Sequence, residues 1–135
     1  MKCLDTTYFV DLVRKPSAIR DITTRLDEED RCATTVFNVY EALFGSYAVD
    51  DAKGEKIREK ISKAANRLEV LEFRYVDALK AAEIGGALLK KKKVVGADAI
   101  TAAIAINNGC EAVVTRNKKH FGWIKDLTGL EVETY

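Results

Sequence analysis

Three carboxylates occupy positions where a charged side chain needs a partner or a chemical role. Asp5 directly follows the first apolar run, Glu41 lies inside VFNVYEALF, and Asp98 opens GADAITAAIAI. Each also has a structural explanation: a helix N-cap for Asp5, a buried ion pair with an arginine for Glu41, and a favourable helix dipole for Asp98. If the three acids meet, they predict a site for Mg²⁺ or Mn²⁺, because carboxylate oxygens select these cations over zinc.

Basic residues lie close to these acids along the chain. A lysine run at residues 90–93 precedes Asp98, and the segment TRNKKHF covers residues 115–121. The polar and basic side chains that we predict to contact substrate or to support the acids are Thr115, Arg116, Asn117, Lys118 and Lys119. A basic rim around an acidic floor suits the metal-assisted hydrolysis of a phosphodiester. Each lysine cluster by itself is also typical of a solvated loop.

The histidine and cysteine content limits the available chemistry. The sequence has one histidine and three cysteines, Cys3, Cys32 and Cys110, with no C-x-x-C pair. This set does not make a structural zinc site, and a single imidazole excludes metal-free RNA cleavage by paired histidines. We expect the cysteines to be reduced and buried and the catalytic groups to be carboxylates.

Alternating short strands and helices must position these side chains. The predicted strands cover residues 1–4, 31–35, 68–73, 111–115 and 130–135. The predicted helices cover residues 7–14, 17–28, 36–48, 51–66, 75–92, 97–108 and 117–126. Strands separated by helices imply βαβ units and a parallel α/β sheet covered on both faces, with its site beyond the carboxyl ends of the strands. We therefore expect Asp5, Glu41 and Asp98 at one edge of a sheet of four or five strands, the last strand lying at its side.

Length, composition and charge exclude several classes of protein. A chain of 135 residues with 47% hydrophobic and 32% charged residues predicts a single globular domain over residues 1–135, not a disordered or fibrous protein. The 22 basic and 21 acidic side chains nearly cancel, so nucleic-acid contacts must come from local clusters. The longest apolar run, residues 102–106, is far shorter than the roughly 20 residues that span a bilayer. With no signal-peptide pattern at the start, we expect a cytoplasmic protein without membrane contact.

The segments that carry the acids resemble a known family. CLDTTYFVDL around Asp5, TTVFNVYEAL around Glu41, GADAITAAIAI around Asp98 and the closing AVVTRNKKHF are similar, in order and spacing, to PIN-domain nucleases. More narrowly, the chain resembles the VapC-type toxins of bacterial and archaeal toxin–antitoxin pairs, over essentially its whole length. The resemblance implies a three-layer, Rossmann-like α/β/α fold. It also implies an Mg²⁺- or Mn²⁺-dependent endoribonuclease that cleaves single-stranded RNA, such as a tRNA or an mRNA.

The resemblance further implies residue roles and partners. Asp5, Glu41 and Asp98 would be the metal ligands, with Asp5 and Asp98 holding the metal that positions the scissile phosphate and Glu41 in support. One of the hydroxyl residues Thr6 and Thr7 would orient a ligand or bind phosphate, although ordinary helix-start chemistry also explains threonines there. The implied partners are a VapB-like antitoxin, which inserts residues near the acids, and a second copy of the chain in a homodimer.

One segment departs from the family pattern. Many PIN-domain nucleases carry a fourth acid where this chain reads TRNKKH, and the residues available there are Asn117 and His120. We place Asn117 among the metal ligands or just outside them, as a catalytic residue. His120 would contact phosphate or water, or would instead pack beside Phe121 and Trp123. The missing negative charge is expected to weaken a second metal site.

Alternatives to a toxin nuclease remain open. A non-catalytic PIN-like RNA-binding module is supported only by the missing fourth acid, and a housekeeping RNA-processing nuclease would share every residue named so far. A phosphatase of the haloacid-dehalogenase type is set aside, because Thr7 stands where that chemistry needs a second acid. The aromatic residues that form either a partner surface or part of the core are Phe37, Tyr40, Phe44 and Tyr47.

Overall fold

The computed structural model describes residues 1–28 and 31–135, and within them five short strands alternate with seven helices. The strands are β1 (Lys2–Leu4), β2 (Cys32–Thr35), β3 (Glu69–Leu71), β4 (Ala112–Thr115) and β5 (Glu131–Thr134). The helices are α1 (Thr6–Arg14), α2 (Arg20–Asp27), α3 (Val36–Tyr47), α4 (Asp51–Asn66), α5 (Tyr75–Lys90), α6 (Asp98–Asn107) and α7 (Lys118–Thr128). Every predicted element is present, with small shifts at its ends.

The strands form one parallel sheet in the order β3-β2-β1-β4-β5. β1 is central and pairs with β2 on one side and with β4 on the other, where Leu4 lies opposite Val114. β5 is an edge strand, as its alternating sequence predicted. Because all pairs are parallel, the carboxyl ends of the strands lie along one edge of the sheet.

Two hydrophobic cores cover the two faces of the sheet, which confirms the predicted three-layer α/β/α fold. One core joins the sheet to α5, α6 and α7, and the other joins it to α1, α2, α3 and α4. The small residues of α6 let this helix lie close to the sheet, since Ala102, Ala103 and Ala105 are fully buried. The three cysteines are free thiols, two of them buried. Among the described residues, no helix is long and apolar enough to cross a membrane.

The pair formed by α3 and α4 depends on one glycine. α3 begins at a cap in which the Thr35 hydroxyl accepts the backbone amide of Asn38, and Asp50 caps α4 in the same way through the amide of Lys53. At Gly54 on α4, a Cβ atom would lie 2.2 Å from the Ser46 carbonyl oxygen of α3. A side chain at this position would therefore push apart the helices that frame the candidate site.

Candidate active site

Asp5 lies at the carboxyl end of the central strand and is buried, with 3% of its surface exposed. Its side chain makes no capping hydrogen bond of ordinary geometry to α1. Instead, Thr115 and Thr7 donate hydroxyl hydrogen bonds to Oδ2, at 2.8 and 3.3 Å, and the Asn38 amide approaches Oδ1 at 3.3 Å. Burial raises the pKa of this carboxyl, and the hydrogen bond from Thr115 opposes the rise. Its hydrogen bonds come from three other elements or loops, which favours a functional carboxylate over a helix cap.

Asn38 connects this carboxylate to its neighbours, and the sequence analysis missed it. Its side chain is fully buried in the first turn of α3. The amide nitrogen lies 2.8 Å from the Thr6 hydroxyl and 3.0 Å from the Thr101 hydroxyl, and the amide oxygen accepts from Thr35 at 2.7 Å. The available signal was a lone amide within an apolar stretch, directly after β2 and three positions before Glu41.

Glu41 lies one turn further along α3 and is half-buried. The Thr6 hydroxyl donates to its Oε1 at 2.6 Å. This contact, rather than an ion pair with an arginine, holds the Glu41 carboxylate. Thr6 thereby links Glu41 to Asn38, and through Asn38 to Asp5.

Asp98 begins α6, and two side chains from the start of α7 approach it. Asn117 Nδ2 donates to its Oδ2 at 2.8 Å, and His120 Nδ1 lies 2.8 Å from the same oxygen. Burial raises the pKa of Asp98 to about 6, the charge of Asp5 adds to the rise, His120 opposes it, and Glu41 adds a smaller increase. The charges of Asp5 and Glu41 therefore both act on Asp98, and the three acids meet at one edge of the sheet, where the sequence predicted them.

Thr115 and Asn117 face inward, toward the acids. The Thr115 hydroxyl is buried, donates to Asp5 and accepts the backbone amide of Asn117. The Asn117 side chain caps α7 with its oxygen, which accepts the amide of His120, and gives its nitrogen to Asp98. In this orientation Asn117 presents a donor, not an oxygen ligand, to the site.

The basic side chains of the same segment differ in their surroundings. Arg116 Nη1 donates to the buried Asp11 carboxylate at 2.6 Å, which anchors the guanidinium beside α1. Lys118 is exposed. Lys119 places its ammonium 5.3 Å from the centre of the Trp123 ring, and Lys93, from the predicted lysine run, approaches the same ring at 5.7 Å. Charge at this edge is thus divided between an anchored arginine and accessible lysines.

The acids offer oxygen donors of the kind that a divalent cation needs. Within residues 1–28 and 31–135, no three His, Cys, Asp or Glu side chains are arranged to hold a metal ion by themselves. Mg²⁺, however, commonly takes one or two carboxylates and completes its shell with water and substrate phosphate. Asp5 and Asp98 fit that requirement. Burial disfavours the charged form of both carboxylates, negative neighbours further disfavour that of Asp98, and a cation would stabilise both charges. The site fits an oxygen-preferring cation and does not fit zinc.

Comparisons with known proteins agree with this architecture. The family model for the PIN domain matches residues 2–124. The chain is similar to VapBC2 from Rickettsia felis, solved with a promoter DNA fragment, at 23% identity and a TM-score of 0.83, over 99% of this chain and 98% of that one. VapBC-1 from nontypeable Haemophilus influenzae matches at 22% identity and a TM-score of 0.81, over 98% and 96%.

A third solved structure has the same fold, whereas a search of curated sequences finds no relative. VapBC-5 from Mycobacterium tuberculosis, a member of the VapBC family of toxin–antitoxin systems, matches at 21% identity and a TM-score of 0.75, over 99% of this chain and 98% of that one. No curated protein sequence matches the chain. At these identities the solved structures establish a shared fold.

Proposed function

Because this chain belongs to the PIN-domain family, we propose that it is a metal-dependent endoribonuclease that cleaves single-stranded RNA and serves as the toxin of a VapBC-type pair. The observation that carries the proposal is the convergence of three acids on Asp98: burial raises the pKa of Asp98 to about 6, and the charges of Asp5 and, to a smaller extent, Glu41 add to that rise. Clustered acids of this kind lower the stability of the fold, and carboxylates with perturbed pKa values are typical of functional sites. A divalent cation would relieve their repulsion.

The roles of individual residues follow from their contacts. Asp5 and Asp98 would hold Mg²⁺ or Mn²⁺, which when bound stabilises negative charge on a phosphate and makes water a better nucleophile. Thr115 and Thr7 fix the Asp5 carboxylate, and Asn117 fixes that of Asp98. These three residues position ligands, and their hydrogen bonds limit the movement of the carboxylates.

Glu41 and the basic side chains would act on water and on RNA. The Thr6 hydroxyl orients Glu41, whose second oxygen remains able to accept a hydrogen bond from the attacking water. His120, beside Asp98, and the exposed Lys118 would contact phosphates of the RNA. Arg116 would contact a phosphate while its guanidinium stays paired with Asp11. The neutral Asn117 at the family's fourth acidic position favours one tightly held metal over two.

Cleavage of an end-labelled single-stranded RNA with Mg²⁺ or Mn²⁺ tests the proposal. Asp98→Asn and Asp5→Asn should each reduce the rate at least a hundredfold, since each removes a ligand and keeps the side-chain shape, and EDTA should abolish cleavage. Asp126→Asn, which changes an exposed acid on α7, is the matched control and should cleave at the wild-type rate. Induced in bacteria, the wild type should arrest growth and Asp98→Asn should not.

Other outcomes would select another function. A folded wild type that binds Mn²⁺ but leaves all RNA pools intact would contradict a general ribonuclease and favour a narrow target. A protein that binds neither cation would favour the non-catalytic RNA-binding module. Cleavage without growth arrest would favour a housekeeping nuclease over a toxin.

We also propose an antitoxin partner for this chain. A groove of about 460 Å³ lies between α1, α3 and α4, and Glu41 lines it. Apolar side chains such as Phe9 and Ile57 line the same groove, with Arg14, Lys53 and Lys60 among its basic residues. An amphipathic segment with acidic residues suits such a surface. An occupant there would lie against the acidic site, which matches inhibition of the nuclease by an antitoxin.

A further inference from the structure

The first turns of α7 carry an aromatic pair, and its tryptophan has no role in the proposed chemistry. Trp123, the one tryptophan of the chain, lies one turn after His120, and the two rings stack with centroids 5.8 Å apart and planes 25° apart. Trp123 packs against the core between the sheet and α5–α7 and is partly exposed. The indole is therefore held in place while part of it faces solvent.

Two lysines from different elements converge on this indole. Lys119 of α7 and Lys93 of the loop after α5 place their ammonium groups 5.3 and 5.7 Å from the ring centre. Both ammonium groups lie over the indole ring. Within residues 1–28 and 31–135, neither forms an ion pair with a carboxylate. Two cations and a fixed aromatic surface are the two components of sites that bind single-stranded nucleic acid, where bases stack and lysines contact phosphates.

The cluster is connected to the acidic site through one side chain. The His120 ring that stacks on Trp123 also places Nδ1 2.8 Å from Asp98 Oδ2. A nucleotide seated on the indole would therefore lie one imidazole ring away from the carboxylate proposed to hold the metal.

We propose that Trp123, His120, Lys93 and Lys119 form a nucleotide subsite, which stacks a base next to the scissile phosphate of single-stranded RNA. This proposal rests on the proposed ribonuclease function and identifies residues that bind the substrate. A base gains more by stacking on the indole than an exposed ammonium gains by lying over it. On binding, each lysine moves from the ring to a phosphate, so that base and backbone are held together.

Fluorescence of the single tryptophan tests the subsite without any cleavage. The probes are 2′-O-methyl hexauridylate and hexaadenylate, added to the full-length protein in EDTA, where hydrolysis does not occur. We expect saturable quenching of Trp123 emission. Its midpoint should equal the Kd that fluorescence anisotropy gives for a labelled form of the same oligonucleotide. Unchanged emission at concentrations where the oligonucleotide binds would overturn the proposal, and so would a complete lack of binding.

Variants separate stacking from charge. Trp123→Leu should raise the Kd by about five- to a hundredfold, the range for loss of one stacked base, and Trp123→Phe should recover most of that loss. Lys93→Ala and Lys119→Ala should each reduce the slope of log K against log salt by about 0.7. Lys63→Ala on α4, whose core covers the opposite face of the sheet, is the control and should leave Kd and slope unchanged.

The subsite and the nuclease can fail separately. Quenching without cleavage by the metal-loaded protein would support the subsite and contradict the nuclease. Cleavage with a wild-type KM in both Trp123→Leu and the double lysine variant would support the nuclease and overturn the subsite. Circular dichroism identifies a variant that does not fold, and the two lysine substitutions then decide the question.

Discussion

At Asp98, the same features that suit a cation also make the fold sensitive to pH. Burial and the charge of Asp5 raise its pKa from 3.8 to about 6 in the folded chain. Between these values the folded protein binds more protons than the unfolded chain, so the free energy of unfolding decreases as the pH rises through this window. Above about pH 6 the contribution is lost, and a bound cation would restore it.

Asp98→Asn should remove this pH dependence, because an amide cannot ionise. In EDTA, the variant should gain about 1–2 kcal/mol relative to the wild type between pH 4 and pH 6.5, a value reduced by solvent screening of a partly exposed group. Urea unfolding of both proteins across this range measures the difference. Parallel stability profiles would contradict the assigned pKa.

Asn38 shows which part of a site a single sequence conceals. The acids could be predicted because a charge in an apolar stretch or at a strand end is visible locally. Asn38 acts through Asp5 and Thr101, which are 33 and 63 positions away. Such contacts depend on the order of the strands, which follows from long-range pairing. For the same reason, the inward orientation of the Asn117 nitrogen could not be read from its neighbours.

Among the elements, α3 and α4 have a closely constrained separation. α3 carries both Asn38 and Glu41, and its distance from α4 depends on the missing side chain at Gly54. The nearest atom to an added Cβ is the backbone carbonyl of Ser46, which cannot rotate away. Arg58 also donates to this carbonyl at 3.2 Å, so a shift of α3 would break that contact as well.

Gly54→Ala should destabilise the protein by about 1–3 kcal/mol, the usual range for overpacking. Gly86→Ala on α5 is the matched control, because an added Cβ there meets nothing within 4 Å. In an open helical position the same change should stabilise by about 0.5–1 kcal/mol. Urea unfolding of both variants provides the comparison, and equal effects would mean that α3 and α4 are not in close contact.

The existence and order of the elements were predictable, and their ends were less so. Apolar periodicity identified each helix and strand, and alternation of the two predicted a parallel sheet. The third strand was predicted over residues 68–73 but is Glu69–Leu71. Phe73 continues its apolar pattern but contacts Phe37 of α3 instead, at a ring distance of 6.4 Å. A tertiary contact therefore decides where this strand ends.

Across the whole molecule, an aromatic surface on α3 remains uncovered. Tyr40, Phe44 and Tyr47 are 57%, 64% and 73% exposed, which decides against a core role for these three side chains. Phe37 is half-buried and joins them to Phe73 beside the start of α5. Exposed apolar surface of this kind is typical of interfaces between proteins. We propose that a second copy of the chain covers it.

Phe44→Glu should convert a homodimer into a monomer, since a carboxylate would be buried without a partner at the interface. Sedimentation velocity at micromolar concentrations measures the change. Leu89→Glu, at a similarly exposed apolar residue of α5, serves as the control and should remain dimeric. A monomeric wild type would contradict the proposal.

The central position of β1 determines when the site can exist during synthesis. Asp5 is made early in the domain, yet the hydroxyl that holds it belongs to Thr115, 110 positions later. β1 needs β4 on one side, so a nascent chain on the ribosome cannot complete the sheet until nearly all of these residues have emerged. Parallel pairing over such separations is also slow. During synthesis, the candidate site is therefore not assembled until translation of the domain is almost finished.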